Sequence, residues 1–197
     1  MSDHYFDGEP AITDAPREVT ATVWGRDHTF TTSTGVFSGD GLDHATAVLL
    51  TESVPPTQGR LLDLGCGWGP IACSVAASSP DVEVWAIDVN ERAVHLTETN
   101  AHRLGATVHA VRPDEVPEEL TFDAIWSNPP IRIGKQALHE LLLHWLPRLT
   151  PTGSARLVVG KNLGADSLQR WLTDQGWPTT RIASARGFRV LQVSARR

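Results

Sequence analysis

From Arg60 onward the chain alternates short apolar runs with stretches whose apolar residues recur at helical spacing. The runs predict strands over Arg60–Leu64, Val82–Ile87, Thr107–Val111, Phe122–Trp126, Ala155–Val159, Thr179–Ala183 and Phe188–Ala195. Helical spacing predicts Pro70–Ser78, Glu91–Leu104, Lys135–Leu146 and Ala165–Gln175 between them. Alternation of this kind builds a parallel sheet covered on both faces. The last two strands are joined through Ser184-Ala185-Arg186-Gly187, too short for a helix, so they form an antiparallel hairpin at the end of the sheet. The expected fold is therefore α/β, with a seven-stranded mixed sheet whose last strand is antiparallel.

The chain before this pattern reads differently. Glu18–Trp24 and His28–Thr34 are rich in Thr and Val and flank Gly25-Arg26-Asp27, which predicts an N-terminal β-hairpin with a short polar turn. A loop through Gly35-Val36-Phe37-Ser38 leads to a short helix over Leu42–Glu52, stopped by Pro55-Pro56. The expected organisation is a segment over residues 1–55, packed on a main domain over residues 56–197.

Composition narrows the class. A length of 197 residues, 41% hydrophobic, suits one domain with a sizeable core. No apolar run approaches 18 residues, and the opening MSDHYFDGEP has neither the basic start nor the apolar centre of a signal peptide, so the expectation is a cytoplasmic protein that does not enter a membrane. Cys66 and Cys73 form no CxxC pair, and His102, His109, His139 and His144 fall on different elements, so neither a disulfide framework nor a metal site is expected. Charge is unevenly spread. Residues 1–130 carry 6 Lys and Arg against 20 Asp and Glu, whereas residues 131–197 carry 11 against 3. Only the C-terminal third could meet a polyanion.

Candidate chemistry begins at LLDLGCGWGP, Leu61 to Pro70, where a strand ending in Asp63 runs into glycines at 65, 67 and 69 and then a helix. Such glycines let backbone approach a ligand closely, beside the unpaired N–H groups of a helix start. The spacing is not the dinucleotide G-x-G-x-x-G, because Pro70 stands at its third glycine, and no Gly-Lys-Ser or Gly-Lys-Thr ending makes it a P-loop. An acid ahead of the loop suits a cationic amine rather than a pyrophosphate. The next strand ends at Asp88, where a strand-tip acid can take both hydroxyls of a ribose. Ribose and amine without pyrophosphate describe S-adenosylmethionine, and DLGCGWGP followed by this acid resembles the first two motifs of the class I methyltransferases, whose fold is Rossmann-like. The resemblance implies cofactor contacts from Asp63, Gly65, Cys66, Gly67, Gly69, Asp88, Val89, Asn128 and Asp114, the last accepting from the adenine amino group.

The second stretch is IWSNPPIRIGK, Ile125 to Lys135. An exocyclic amine is a poor nucleophile because its lone pair is delocalised. The Asn128 side-chain oxygen and the Pro129 carbonyl could each accept one of its N–H groups and aim that lone pair at the methyl carbon. Pro129 and Pro130 would make the loop rigid and acceptor-only. The string NPPIRIGK, with GVFS and LDHATAVLL upstream and GADSLQRW and GFRVL downstream, is similar to the methyltransferase small-domain family, over about Glu18 to Ser194. That resemblance implies methylation of guanine N2 in 16S ribosomal RNA, with ribosomal RNA or the small subunit as partner. Ile131 departs from the aromatic found after the prolines in related amino-methylating enzymes, and Phe37 is the candidate to stack on the base in its place. Arg132, Lys135, Lys161, Arg186 and Arg189 are the candidates to border a nucleic-acid backbone. Protein glutamine or adenine N6 methylation, and a catalytically idle RNA-binding module, are the competing readings.

Overall fold

The computed structural model describes residues 16–196; residues 1–15, which open the expected N-terminal segment, lie outside the described residues. In chain order the elements are β1 (Arg17–Val23), β2 (Arg26–Thr32), α1 (His44–Thr51), β3 (Gly59–Leu64), α2 (Pro70–Ser78), β4 (Val82–Ile87), α3 (Glu91–Arg103), β5 (Val108–Val111), β6 (Phe122–Ser127), α4 (Lys135–Trp145), β7 (Leu149–Gly160), α5 (Ala165–Asp174), β8 (Thr179–Ala185) and β9 (Phe188–Ser194). Strands β3 to β9 form one sheet in the order β5-β4-β3-β6-β7-β9-β8. The five strands from β5 to β7 are parallel, and β9 pairs antiparallel with both β7 and β8.

The final hairpin is therefore folded back into the sheet: β8 takes the edge and β9 fills the gap beside β7. Burial explains the choice. Val190, Leu191 and Val193 of β9 are fully buried, as a strand covered on both faces requires, whereas Thr180, Arg181, Ile182 and Ser184 of β8 are exposed. Two cores lie on opposite faces of the sheet. Leu138, Leu142, Leu168 and Leu172 of α4 and α5 cover one, and Val48, Leu49, Ile71 and Val75 of α1 and α2 cover the other. Truncating a fully buried leucine such as Leu142 or Leu172 to alanine costs about 2–5 kcal/mol.

Among the boundaries that differ from expectation, two have identifiable reasons. Strand β7 starts at Leu149 rather than Ala155, because Leu149 faces Phe122 while Ser154 already faces Ala124, so the Pro- and Gly-containing stretch between them bulges out. The hairpin turn is the pair Trp24-Gly25, both at positive φ (48° and 75°), and Arg26 already pairs with Val23. Trp24 leaves the strand because its ring packs edge-on to Trp126 and its Nε1 donates to the Leu50 and Ser53 carbonyls.

An isolated two-stranded hairpin is marginal in water, so its docking decides its stability. Phe30 is fully buried with its ring 5.1 Å from that of Trp68. Asn100 of α3, also fully buried, accepts from Thr31 N at 2.6 Å and donates to the carbonyls of Thr31 and Trp68 at 2.8 Å. One side chain thereby joins the hairpin to the glycine loop.

Candidate active site

Strand β3 has β4 on one side and β6 on the other. The loops leaving their carboxyl ends diverge there and open a crevice, as at the switch point of any open α/β sheet. The cleft at this point is lined by Gly65, Cys66, Gly67, Trp68 and Pro70 of the first loop, by Asn128 at the end of β6, and by Phe37, Ser38, Asp43 and Thr46 of the N-terminal segment. Ser127 braces its floor by donating to the Leu64 carbonyl at 2.6 Å.

The loop glycines divide by role. A Cβ on Gly65 or Gly67 would enter open space, so at these two positions bare backbone faces the cleft. A Cβ on Gly69 would meet Thr97 at 2.9 Å and the Cys73 sulfur at 3.0 Å, so that glycine permits the packing of α2 against α3 instead. The Cys66 side chain is likewise turned inward, where its sulfur accepts from Thr97 Oγ1 at 3.4 Å and burial pushes its thiol pKa up. Both cysteines are free and buried.

Asp63 lies beneath the loop, fully buried and outside the cleft lining. Its Oδ2 accepts from Ala72 N at 3.0 Å, and its Oδ1 has no partner among the described residues. Burial pushes its pKa up to about 7, the Ala72 N–H opposes that, and the charge of Asp88 adds to it. Asp88 is half-buried at the tip of β4, where Oδ2 accepts from Gly67 N at 3.0 Å and Oδ1 from Asn90 N at 2.9 Å. A carboxylate offers about four lone-pair sites, so two remain for a diol while the same group holds the glycine loop in place. Val89 beside it is 76% exposed, an apolar platform on the rim. Asp114 sits farther out with its carboxylate paired to Arg112, which also reaches Glu91 and the Val89 carbonyl. Open glycine backbone, a strand-tip acid with spare acceptor capacity and a buried carboxyl lacking one partner fit a ligand that brings a ribose and a positive charge.

At the second loop, Asn128 Nδ2 donates to Asp43 Oδ2 at 2.8 Å and to Thr46 Oγ1 at 3.1 Å. Its Oδ1 accepts nothing from the described residues and is left for the cleft. Within this loop Ile131 N donates to the Pro129 carbonyl at 2.8 Å, and Pro130 (φ −74°, ψ 73°) is the centre of an inverse γ-turn, so that N–H is used up inside the loop. One lone pair of that carbonyl is already used. Ile131 is half-buried, packs against the core on the α4 side and is not on the cleft lining. Phe37 is on the cleft and 63% exposed, a large apolar ring on its lining.

The basic candidates separate as well. Arg132, Lys135, Lys161 and Arg186 are exposed, and no ion pair among the described residues holds them. Arg189 is different: its side chain is only 11% exposed and is paired with Asp166 of α5, so it is not a free rim cation.

Asp43 and Thr46 are the site residues that sequence reading missed. Asp43 is legible as a helix N-cap, an acid directly before the apolar pattern of α1. Its partner Asn128 is 85 residues away, a contact that no local pattern reveals. Trp68 is also part of the site frame: its Nε1 donates to the Ser38 carbonyl, while Asn90 and Arg92 donate to the carbonyls of Gly35 and Thr34. The loop bearing Phe37 is thus held by Trp68 of the first motif and by Asn90 and Arg92 just after the second.

A glycine-loop cleft at the switch point of a β5-β4-β3-β6-β7-β9-β8 sheet, facing an Asn-Pro-Pro loop, defines a methyltransferase of the class I type. The sequence profile of the methyltransferase small domain matches residues 27–192, and the chain belongs to that family. It is 32% identical over 197 residues to Bacillus subtilis "Uncharacterized protein YbxB", spanning 98% of both chains. It is 30% identical over 166 residues to ribosomal RNA small subunit methyltransferase C of Shewanella loihica and 37% identical over 138 residues to that of Klebsiella pneumoniae, covering 77% and 66% of this chain but only 48% and 40% of those proteins. The chain thus spans about half or less of the length of these two relatives. Among solved structures, the T. thermophilus 16S rRNA N2 methyltransferase RsmC, in complex with AdoMet and guanosine, superposes with a TM-score of 0.83 at 24% identity, over 95% of this chain and 52% of that one. At that identity the likeness speaks for the fold.

Proposed function

We propose that this protein transfers a methyl group from S-adenosylmethionine to an exocyclic amino group in ribosomal RNA, with guanine N2 of the small-subunit RNA as the substrate atom. The observation that carries this reading is the Asn128 carboxamide on the lining of a cleft formed with the glycine loop, its nitrogen taken up by Asp43 and Thr46 and its acceptor oxygen given no donor by the described residues. An acceptor in that place favours a substrate that brings N–H groups. When bound, the cofactor supplies a methyl on a sulfonium that leaves as a neutral thioether with the electron pair of the broken bond.

The chain's own residues orient the two reactants. Asn128 Oδ1 and the remaining lone pair of the Pro129 carbonyl accept from the amine, fixing its rotation and aiming its lone pair. As the nitrogen takes up the methyl it becomes cationic, and these acceptors stabilise that charge until a proton is shed to water. Phe37 offers the apolar face on which the base stacks, in place of the aromatic missing at position 131. Arg132, Lys135 and Lys161 supply backbone contacts that position without reacting. The relatives named as ribosomal RNA methyltransferases support this choice of substrate over protein glutamine or adenine N6.

Incubation with labelled S-adenosylmethionine and, separately, small subunits, naked 16S RNA, tRNA and release factor tests the substrate. Label is expected in the small-subunit RNA, as N2-methylguanine after digestion. Asn128→Ala should lower single-turnover transfer about 100-fold or more while cofactor affinity stays near wild type. Transfer at the wild-type rate by that variant, or label in glutamine or adenine, would show the reading to be wrong.

A further inference from the structure

We propose that Asp43 is a positioning residue for methyl transfer, setting which end of the Asn128 carboxamide faces the substrate. The inference rests on the amino-group reading above and adds a residue that reading does not require. The two ends of a carboxamide are nearly the same shape and opposite in hydrogen bonding. Turned the wrong way, Asn128 would present N–H donors to an amine that is itself a donor. Neither proline can prevent that turn, since neither has an N–H with which to hold the oxygen or reject the nitrogen.

The discrimination comes from Asp43 and Thr46, at the start of α1. An ionised carboxylate only accepts, and Asp43 Oδ2 lies 2.8 Å from Asn128 Nδ2. Thr46 Oγ1, at 3.1 Å, takes the second N–H. Reversing the amide would let the Thr46 hydroxyl donate instead of accept, but it would replace the charge-assisted bond to Asp43 with an oxygen facing a carboxylate. Asp43 is itself immobile, because the same Oδ2 accepts from Ala45 N at 2.8 Å and Thr46 N at 3.1 Å as the N-cap of α1. The negative group behind the amide also polarises it, so that Oδ1 becomes a stronger acceptor where the amine's charge develops. One consequence separates this arrangement from a bare acceptor at position 128: aspartate there would set a second carboxylate against Asp43, so it cannot substitute for asparagine.

The test uses the full chain with Asp43→Ser, Asp43→Asn and Asn128→Asp. Serine caps a helix as well as aspartate does but is one bond too short to reach Asn128, so melting temperature and cofactor affinity should stay near wild type. Single-turnover transfer at saturating RNA should fall at least about tenfold. Asp43→Asn still offers an acceptor to all three donors and should recover the rate to within about threefold of wild type. Asn128→Asp should be as impaired as Asn128→Ala, again by about 100-fold. Wild-type transfer by Asp43→Ser, beside an impaired Asn128→Ala, overturns the positioning role and leaves the amino-transfer reading standing. If the serine variant fails to fold, substantial activity in Asn128→Asp overturns it on its own. An unimpaired Asn128→Ala defeats the amino-transfer reading itself.

Discussion

Replacing Asp63 by asparagine should remove a pH dependence that the wild-type fold carries. The carboxyl is fully buried, takes one backbone N–H on Oδ2, and has its pKa pushed from 3.8 up to about 7, chiefly by loss of hydration. An acid whose folded pKa is raised contributes stability below its unfolded pKa and loses that contribution as pH rises through the folded one. The window is therefore pH 4 to 7, with stability falling as pH rises, and the full difference is on the order of 4 kcal/mol at 1.36 kcal/mol for each pH unit. Between pH 5 and pH 8 the expected change is roughly 2–3 kcal/mol. Asparagine keeps the acceptor for Ala72 N and cannot ionise, so the variant should gain on wild type by that amount over the same range. Urea unfolding followed by circular dichroism at several pH values measures it, with equal m-values confirming that the unfolding reaction is unchanged. Parallel stability profiles for the two proteins would refute the buried-carboxyl account.

The loop glycines and the basic rim give further expectations. Gly67→Ala should fold, paying only the roughly 1–2 kcal/mol of a left-handed alanine at φ 57°, yet lose at least about tenfold in cofactor affinity because its methyl enters the cleft. Gly69→Ala should instead destabilise by about 2–4 kcal/mol against Thr97 and Cys73, and a melting temperature equal to wild type would contradict the packing role assigned to it. Arg132→Ala and Lys135→Ala should each flatten the slope of log affinity for RNA against log salt by about one counterion. Arg189→Ala should leave that slope unchanged and lower the melting temperature, because its largely buried side chain no longer packs at the sheet; an equal flattening would mean that the Arg189–Asp166 pair opens onto RNA.

The chain by itself determined the order and type of nearly every element, because apolar period and punctuation by glycine and proline are local properties. Strands β3, β4 and β6, helix α2 and the two loops that face the cleft are all legible this way, since each loop carries its chemistry in consecutive residues. What depended on pairing was not legible. The return of β9 into the sheet, with β8 at the edge, follows from two-sided burial that only neighbouring strands can supply. The early start of β7, across proline and glycine, follows from its bulge opposite Phe122. At the site, tertiary structure separated residues that looked equivalent in the sequence. Gly69 packs while Gly65 and Gly67 leave the cleft open, Arg189 is paired while Arg132 and Lys135 are not, and Ile131 turns to the core while Phe37 turns to the cleft. The largest gap was the hold of Asp43 on Asn128. A hydrogen bond between side chains 85 residues apart leaves no trace in local pattern, because it exists only once α1 and the end of β6 have been brought together by the two cores that fold them.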